Sequence, residues 1–462
     1  MSKGNVSEQV SRRGFLEATA GAAAAFTIVP RHVLGGPGRT AASEKLNIAG
    51  VGVGGMGKNN LRACESENIV ALCDVDDAYA APILERYPKA AKYRDFRQML
   101  EKQKDIEALV IATPDHTHAP IAMAAMKMGK HVYVQKPLTH SVYEARMLTE
   151  AARQYKVATQ MGNQGHSGDG IRMVCEWIWD GIVGPVHEVH AWTNRPVWPQ
   201  GEEVDRPKET PPVPATLDWD LWLGPAPSRP CHPTYLPERW RAWWDFGTGS
   251  LGDLGCHILD PVFWAMKLKH PVSVEACTST YWHEFWKKTE PKNETYPRST
   301  IVRFKFPVRE GMPAMDLTWW DGGMMPPRPA ELEEGRQMGD SDGGLLFIGE
   351  KGTLMTGCFG SSPGLIPETR MREYKKPAQT IDRIPDGMEG HEKDWVRACK
   401  GGKPASSNFD YSGPLSEMVL MGNLAVRFPN RRLLWDGPNM QVTNDAGANG
   451  YVRRQYRQGW TL

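Results

Sequence analysis

Leu46-Asn47-Ile48-Ala49-Gly50-Val51-Gly52-Val53-Gly54-Gly55-Met56-Gly57-Lys58 is the stretch on which the reading of this chain turns. Leu46 to Val51 has the length and apolar character of a buried strand. Gly52, Gly54 and Gly57 follow with the spacing G-x-G-x-x-G, and helical sequence begins at Lys58. In such a strand-turn-helix unit the first glycine permits the tight turn and the second lets backbone approach a pyrophosphate. The third allows the helix to pack closely. Gly55 and Met56 lie between them, where the free N–H groups and positive dipole end of the helix would face phosphates. Gly50 offers an overlapping register, so spacing alone leaves two choices of turn residue. Asp74 closes a second apolar strand, Ile69 to Cys73, at the ~20-residue separation from which an acid reaches the adenosine ribose of a dinucleotide. Its charge would repel a 2′-phosphate, which favours NAD over NADP. The alternative is a solvated turn carboxylate beside Asp76 and Asp77.

Outward from this unit, strands at Ala108 to Thr113 and His131 to Val134 alternate with helical spacing at Ala80 to Arg86, Phe96 to Lys102 and Ala119 to Met128. That alternation predicts a doubly wound parallel sheet. After Gly162 the texture changes. Strand-like stretches at Val186 to Trp192, Val272 to Thr280, Thr300 to Phe306 and Met315 to Trp319 succeed one another with few helices between. They predict a large, mainly antiparallel open sheet. The expected fold is α/β followed by α+β, with a Rossmann domain over residues 44–163 and a substrate and oligomerisation domain over 164–462. The Pro- and Gly-rich passages 196–230 and 322–344 read as long surface loops. An open sheet face makes a homo-oligomer the expectation.

A chain of 462 residues exceeds the size at which one core usually stops growing, in keeping with two domains. Lys and Arg number 55 against 54 Asp and Glu, so no overall field recruits nucleic acid. The eight cysteines, from Cys64 to Cys399, lack the short paired spacings of a zinc or redox motif and read as buried, reduced thiols. At the N-terminus, Ser11-Arg12-Arg13-Gly14-Phe15-Leu16 precedes an alanine-rich apolar run from Ala18 to Val29. This resembles a twin-arginine export signal, so residues 1–43 are set apart from the fold. The mature protein is expected to be exported to the periplasm with the twin-arginine (Tat) machinery as a partner.

The apolar segment Gly249 to Asp260 reads as the start of a helix on which Asp253, His257 and Asp260 share one face. Burying three polar side chains on such a helix requires partners or a function. One reading is a hydrogen-bond network with Asp253 as the helix cap; the other is a reaction site.

Taken with Ala112-Thr113-Pro114-Asp115-His116-Thr117-His118 and Gln135-Lys136-Pro137, the glycine turn and this helix resemble the Gfo/Idh/MocA oxidoreductases from Leu46 onward. The resemblance implies NAD as cofactor, with Lys136 beside the nicotinamide and Thr113, Pro114, His118 and Gln135 lining that end. It implies catalytic roles for Asp253 and His257, leaves Asp260 as structural support, and suggests a cis Lys136-Pro137 peptide. Gln135 stands where the family has Glu, keeping an acceptor oxygen but losing a charge. Oxidising CH–OH to C=O needs a base for the hydroxyl proton and a donor for the oxygen, roles suited to His257 and Lys136 respectively, although either could be the formal base. Asp253 would orient His257 or bind a substrate hydroxyl.

His116 and His118 suggest a metal clasp at first sight, but they lack an acidic or Cys partner, so no metal is expected. The aromatic stretch Pro233 to Asp245 offers Tyr235, Trp240 and Arg241 as a wall for a sugar ring; an apolar cluster anchoring the loop is the equal alternative. The expected function is NAD-dependent oxidation of a sugar, cyclitol or glycoside. A redox-neutral hydrolase or lyase working through a transient keto-sugar needs the same residues. A non-catalytic binding protein is the third reading.

Overall fold

The computed structural model describes residues 44–198, 200, 206–280, 282–285, 287–288 and 294–462. The twin-arginine sequence lies outside the described residues. Six strands, β1 (Asn47–Val51), β2 (Asn68–Cys73), β3 (Ala91–Tyr93), β4 (Ala108–Ile111), β5 (His131–Val134) and β6 (Thr159–Met161), form a parallel sheet in the order β3-β2-β1-β4-β5-β6. Its central strands are buried on both faces, which is why they read as continuous apolar runs. Helices α1 (Gly57–Ala63) and α2 (Asp77–Arg86) pack on one face, and α3 (Phe96–Lys102), α4 (Asp115–Lys127) and α5 (Val142–Tyr155) on the other. Side chains start them: Asp76 and Asp95 accept from first-turn N–H groups of α2 and α3, and Ser141 with Glu144 caps α5 reciprocally. The strand order reverses between β1 and β4, which opens a crevice at their carboxyl ends.

After α6 (Asp169–Trp179) come β7 (Val186–Thr193), the short helix α7 (Trp219–Leu223) and the long helix α8 (Gly249–Ala265). Then follow β8 (Ser273–Thr278), a hairpin of β9 (Trp282–Glu284) and β10 (Lys287–Lys288), β11 (Thr300–Phe306), β12 (Met315–Trp320), β13 (Gly343–Gly349), β14 (Gly352–Gly357) and β15 (Gly364–Ile366). β9 and β10 pair only with each other; the other strands, with β16 (Arg432–Asp436) and β17 (Gln441–Val442), build a sheet ordered β15-β14-β13-β7-β12-β11-β8-β16-β17. Every neighbouring pair is antiparallel except β7 with β12. Alternation along β11 is strict, with Val302, Phe304 and Phe306 buried and Arg303 and Lys305 exposed.

Helices α9 (Thr369–Glu373), α10 (His391–Cys399), α11 (Phe409–Arg427) and α12 (Ala446–Asn449) complete the fold. α11 starts at Phe409, where the Asn408 side chain caps it by accepting from Asp410 N–H, and Pro414 is carried inside. α11 packs on both α5 and the second sheet, so one apolar core runs through both domains. α10 returns to the first sheet: Trp395 is fully buried in the cluster that holds Ile48, Leu72 and Tyr133. A division at residue 163 therefore separates the two sheets but not their cores. All eight cysteines are free thiols, six of them buried.

Candidate active site

Gly52 leaves β1 in the left-handed region with φ 75°, and a Cβ there would lie 2.6 Å from the Thr113 backbone nitrogen at the end of β4. A Cβ on Gly57 would collide with the Gly52 carbonyl. The turn and the close helix approach thus require these two glycines, and Gly50, in ordinary strand conformation, is not the turn residue. Over Gly54 and Gly55 lies the ring of Tyr79 from α2.

Asp74 braces this turn. Its Oδ2 accepts from Val53 N–H (2.8 Å) and Gly54 N–H (3.1 Å), and its Oδ1 from Asp76 N–H (3.1 Å). Burial raises its pKa against the pull of those donors. Oδ1 retains an acceptor position for a ribose hydroxyl. Capping falls instead to Asp76, on Ala78 and Tyr79 N–H. Asp74→Ala should therefore weaken NAD binding and narrow the preference for NAD over NADP. Titration calorimetry with both cofactors checks this, and unchanged discrimination would assign ribose reading to another residue.

From Asp74 the crevice runs past Met56, Thr113 and Pro114 to Gln135, Lys136 and His257, enclosing about 970 Å³. That is the upper end of the range for cofactor sites, ~300–1,000 Å³. Its outer wall is the segment 211–241, which includes α7. Leu217 forms an antiparallel bridge with Asp76, Asp77 N–H donates to Thr216 O (3.0 Å) and Asp218 N–H to Val75 O (2.8 Å). Pro211, Pro212 and Leu236 face the crevice from this wall, and Trp460 faces it from the C-terminal tail. The tail is pinned by Arg454 on Glu144 (2.6 Å) and by Arg457 N–H on Pro225 O (3.0 Å).

At the inner end, the Lys136-Pro137 peptide is cis and Lys136 Nζ donates to both the backbone O and the Oδ1 of Asp253, each at 2.6 Å. Two of three N–H bonds are thereby taken and one remains for a ligand. Asp253 lies inside the first turns of α8, not at its cap, which is Thr248. Arg241 Nε (3.4 Å) and Arg195 Nε (3.7 Å) also approach its carboxylate. Burial alone would raise the Asp253 pKa, but Lys136 and Arg241 outweigh it and hold the group at about 2. His257 follows one turn later on α8. Its Nδ1 is buried with no hydrogen-bond partner among the described residues, and its ring meets Phe359 edge-on at 4.8 Å. Phe359 adopts φ 61°, an uncommon conformation for an aromatic residue, to sit there. Burial, reinforced by Lys136, pushes the His257 pKa well below the usual value. Both effects favour the neutral imidazole, the form in which one ring nitrogen is an acceptor.

Asp260, on the same helix face, belongs elsewhere: it bonds Asn163 (2.9 Å), His166 (3.0 Å) and Tyr411 (2.5 Å). Gln135 donates to Asn60 (3.1 Å), and Asn60 donates to the buried Glu392 (2.7 Å), which Tyr133 also reaches (3.0 Å). A carboxylate thus stands two hydrogen bonds behind the position that lacks one. His118 is buried behind the crevice, with its ring nitrogens on Pro137 O (2.9 Å) and Thr113 O (2.8 Å). It ties the β4 and β5 loops together and does not line the crevice. The His116 ring nitrogens likewise face Phe246 O (3.2 Å) and Trp222 O (3.0 Å), so both rings are engaged by carbonyl groups.

Of the expected sugar wall, Trp240 and Arg241 line the crevice and Tyr235 does not. Tyr235 is buried in an aromatic cluster with Trp219, Trp243 and Phe246 that anchors the loop. Sequence reasoning did not single out Arg195, Tyr79, Phe359, Glu392 or Trp460. Arg195 and Trp460 carry no local signal, since only the fold brings them within reach.

Residues 46–163 match the model of an oxidoreductase family's NAD-binding Rossmann fold, and residues 186–289 its C-terminal alpha/beta domain. Among curated proteins, glycosyl hydrolase family 109 protein 1 of Shewanella sp. (strain ANA-3) is 29% identical over 175 residues, 35% of this chain and 38% of that protein. Inositol 2-dehydrogenase of Salmonella typhimurium is 29% identical over 147 residues, 30% of this chain and 44% of that protein. The matched region thus spans less than half the length of these relatives. The fold is also similar to the WlbA dehydrogenase from Bordetella pertussis in complex with NADH and UDP-GlcNAcA. That likeness has TM-score 0.56 and 17% identity, covering 85% of this chain and 99% of the other. An inositol dehydrogenase homolog from Azotobacter vinelandii, complexed with NADH and myo-inositol, gives TM-score 0.53 and 17% identity over 85% and 98%.

Proposed function

Because the chain carries both the NAD-binding and the C-terminal domain of the Gfo/Idh/MocA oxidoreductases, we propose that it oxidises a CH–OH group of a sugar, cyclitol or glycoside. The meeting of Lys136, Asp253 and His257 at the inner end of the crevice carries this reading. The glycine turn, the Asp74 acceptor and the crevice volume fit NAD. Bound there, NAD supplies the hydride acceptor. The remaining N–H of Lys136 holds the substrate oxygen and stabilises charge as it develops. His257 takes the hydroxyl proton. Asp253 fixes Lys136 and, at a pKa of about 2, stays ionised throughout the working range.

The depressed pKa of His257 gives a pH signature. Burial and Lys136 hold the His257 pKa well below the usual ~6.5, so the acidic limb of kcat/KM due to this group should lie below that value. A profile measured from pH 4 to 9 checks this; an acidic limb centred at 6.5 to 7 would point to a different base.

Redox-neutral cleavage of a glycoside through a transient keto-sugar is the second reading, supported by the walled crevice and the similarity to the family 109 proteins. Residues from 211 to 241 and Trp460 of the C-terminal tail line the crevice, and a reaction that returns its hydride needs no cofactor exchange through them. With export to the periplasm, also proposed, NAD would be loaded before export and retained. Protein purified without added cofactor should then release nearly one nicotinamide dinucleotide per chain on denaturation. An empty protein that binds NAD weakly would remove this argument. Incubation with polyols and aryl glycosides, following NADH and free aglycone together, separates the readings: NADH marks net oxidation and aglycone alone marks cleavage.

A further inference from the structure

Lys136, Arg195 and Arg241 all approach one carboxylate, that of Asp253. Arg195 divides its charge between Asp253 and Asp342, whose Oδ1 lies 3.0 Å from its Nη1. Lys136 is committed to Asp253 through two short hydrogen bonds. Of these three cations, Lys136 and Arg195 each have a carboxylate oxygen within 3.0 Å, whereas Arg241 reaches Asp253 only at 3.4 Å. Two further acids stand near: Glu238 lines the same crevice and, among the described residues, forms no ion pair with Arg241, and Asp115 is buried against the Thr248 hydroxyl (2.5 Å), where burial raises its pKa.

Arg241 is also built to present its charge. Its guanidinium lies over the Trp240 ring at 4.3 Å and near the Trp198 ring at 5.8 Å, and it lines the crevice. Among the described residues its terminal N–H groups make no hydrogen bond, and its Nε meets Asp253 only at ion-pair distance. An Arg fork held by aromatic faces, with unspent donors aimed into a crevice, matches a planar carboxylate in shape and charge. One guanidinium, with Glu238 also lining the crevice, suits a monoanion better than a phosphate dianion.

We propose that the substrate is an acidic sugar, of uronic or aldonic type, whose carboxylate is bound by Arg241 beside the reacting hydroxyl. This rests on the dehydrogenase reading above and sharpens it. The competing occupant of Arg241 is the pyrophosphate of the cofactor, so the experiment must read both. The full-length protein, with NAD bound, is offered matched pairs of neutral aldoses and their uronic acids, and of p-nitrophenyl glycosides and glycuronides, in gluco, galacto and manno configurations. Reduction of NAD and release of nitrophenol are recorded, together with NAD affinity, for wild type, Arg241→Gln and Arg241→Lys.

The expected result is a preference of the wild type for the acid in at least one pair. In Arg241→Gln the kcat/KM for that acid falls about tenfold to a hundredfold through KM, as for loss of a charged hydrogen bond. Its neutral partner should lose less than the acid, since Arg241 also faces Asp253; NAD affinity should change little, and Arg241→Lys should recover part of the loss in acid preference. Equal or better use of neutral partners by the wild type overturns the proposal while leaving the dehydrogenase reading intact. A loss of NAD affinity in Arg241→Gln without change in acid preference also overturns it and gives the guanidinium to the cofactor. If no pair turns over in a protein shown to hold NAD, the dehydrogenase reading fails and this one falls with it.

Discussion

Replacing His257 or Lys136 by Ala is expected to lower turnover about 10²- to 10⁴-fold while leaving NAD binding in place, the usual contribution of a positioned acid–base group. The two effects have different origins. His257 loses the neutral imidazole that receives the hydroxyl proton, and its ring is buried against Phe359. His257→Gln fills more of that space and serves as the control for packing. Lys136→Ala removes the donor to the substrate oxygen, yet Asp253 keeps Arg241 and Arg195 nearby, so the fold should persist. The cofactor contacts proposed for Gly52, Gly55, Met56 and Asp74 lie at the far end of the crevice from both side chains. Single-turnover reduction of bound NAD, with cofactor content measured on the same samples, gives the answer. Full turnover in both variants would remove these residues from the chemistry.

What the sequence could carry was local geometry. The strand, glycine turn and acid at Asp74 lie within about 30 residues and each answers a short-range demand, so they are legible together. Alternation along β11 likewise shows a sheet with one buried face. The α8 stripe illustrates where such reasoning stops. Asp253, His257 and Asp260 do share a face, but Asp260 lies about 10 Å further along the axis than Asp253. There it meets Asn163, His166 and Tyr411, not Lys136. Angular position was readable; axial position relative to another domain was not. Tyr235 and Trp240 show the same limit, since an aromatic-rich loop must bury some rings to hold the others in place. Only three-dimensional packing assigns Tyr235 to the anchor and Trp240 to the crevice. Glu392 and Arg195 reach the site from helix α10 and from the residues just after β7, and nothing in their neighbourhoods marks them.

Asp253→Ala should be the most destabilising change at the site. The carboxylate is 11% exposed and faces Lys136, Arg195 and Arg241, and its removal leaves three cations converging without their shared anion. Removing one partner from a buried ionic cluster typically costs about 3–5 kcal/mol, because the charges left behind remain desolvated. Lys136 also loses its Oδ1 acceptor and keeps only the backbone carbonyl of residue 253. Asp253→Asn retains shape and an acceptor oxygen but no charge, so its loss should be smaller and the difference between the variants separates hydrogen bonding from charge. Linkage gives the pH dependence. A carboxylate depressed from 3.8 to about 2 contributes stability that is fully present above the ordinary carboxylate value and is lost as pH falls towards 2. The gap between wild type and Asp253→Ala should accordingly be full at pH 7 and shrink below about pH 4. Urea denaturation at pH 7, 5, 4 and 3 measures it. A gap that is small at pH 7, or that stays constant down to pH 3, would mean that water rather than Asp253 balances these cations.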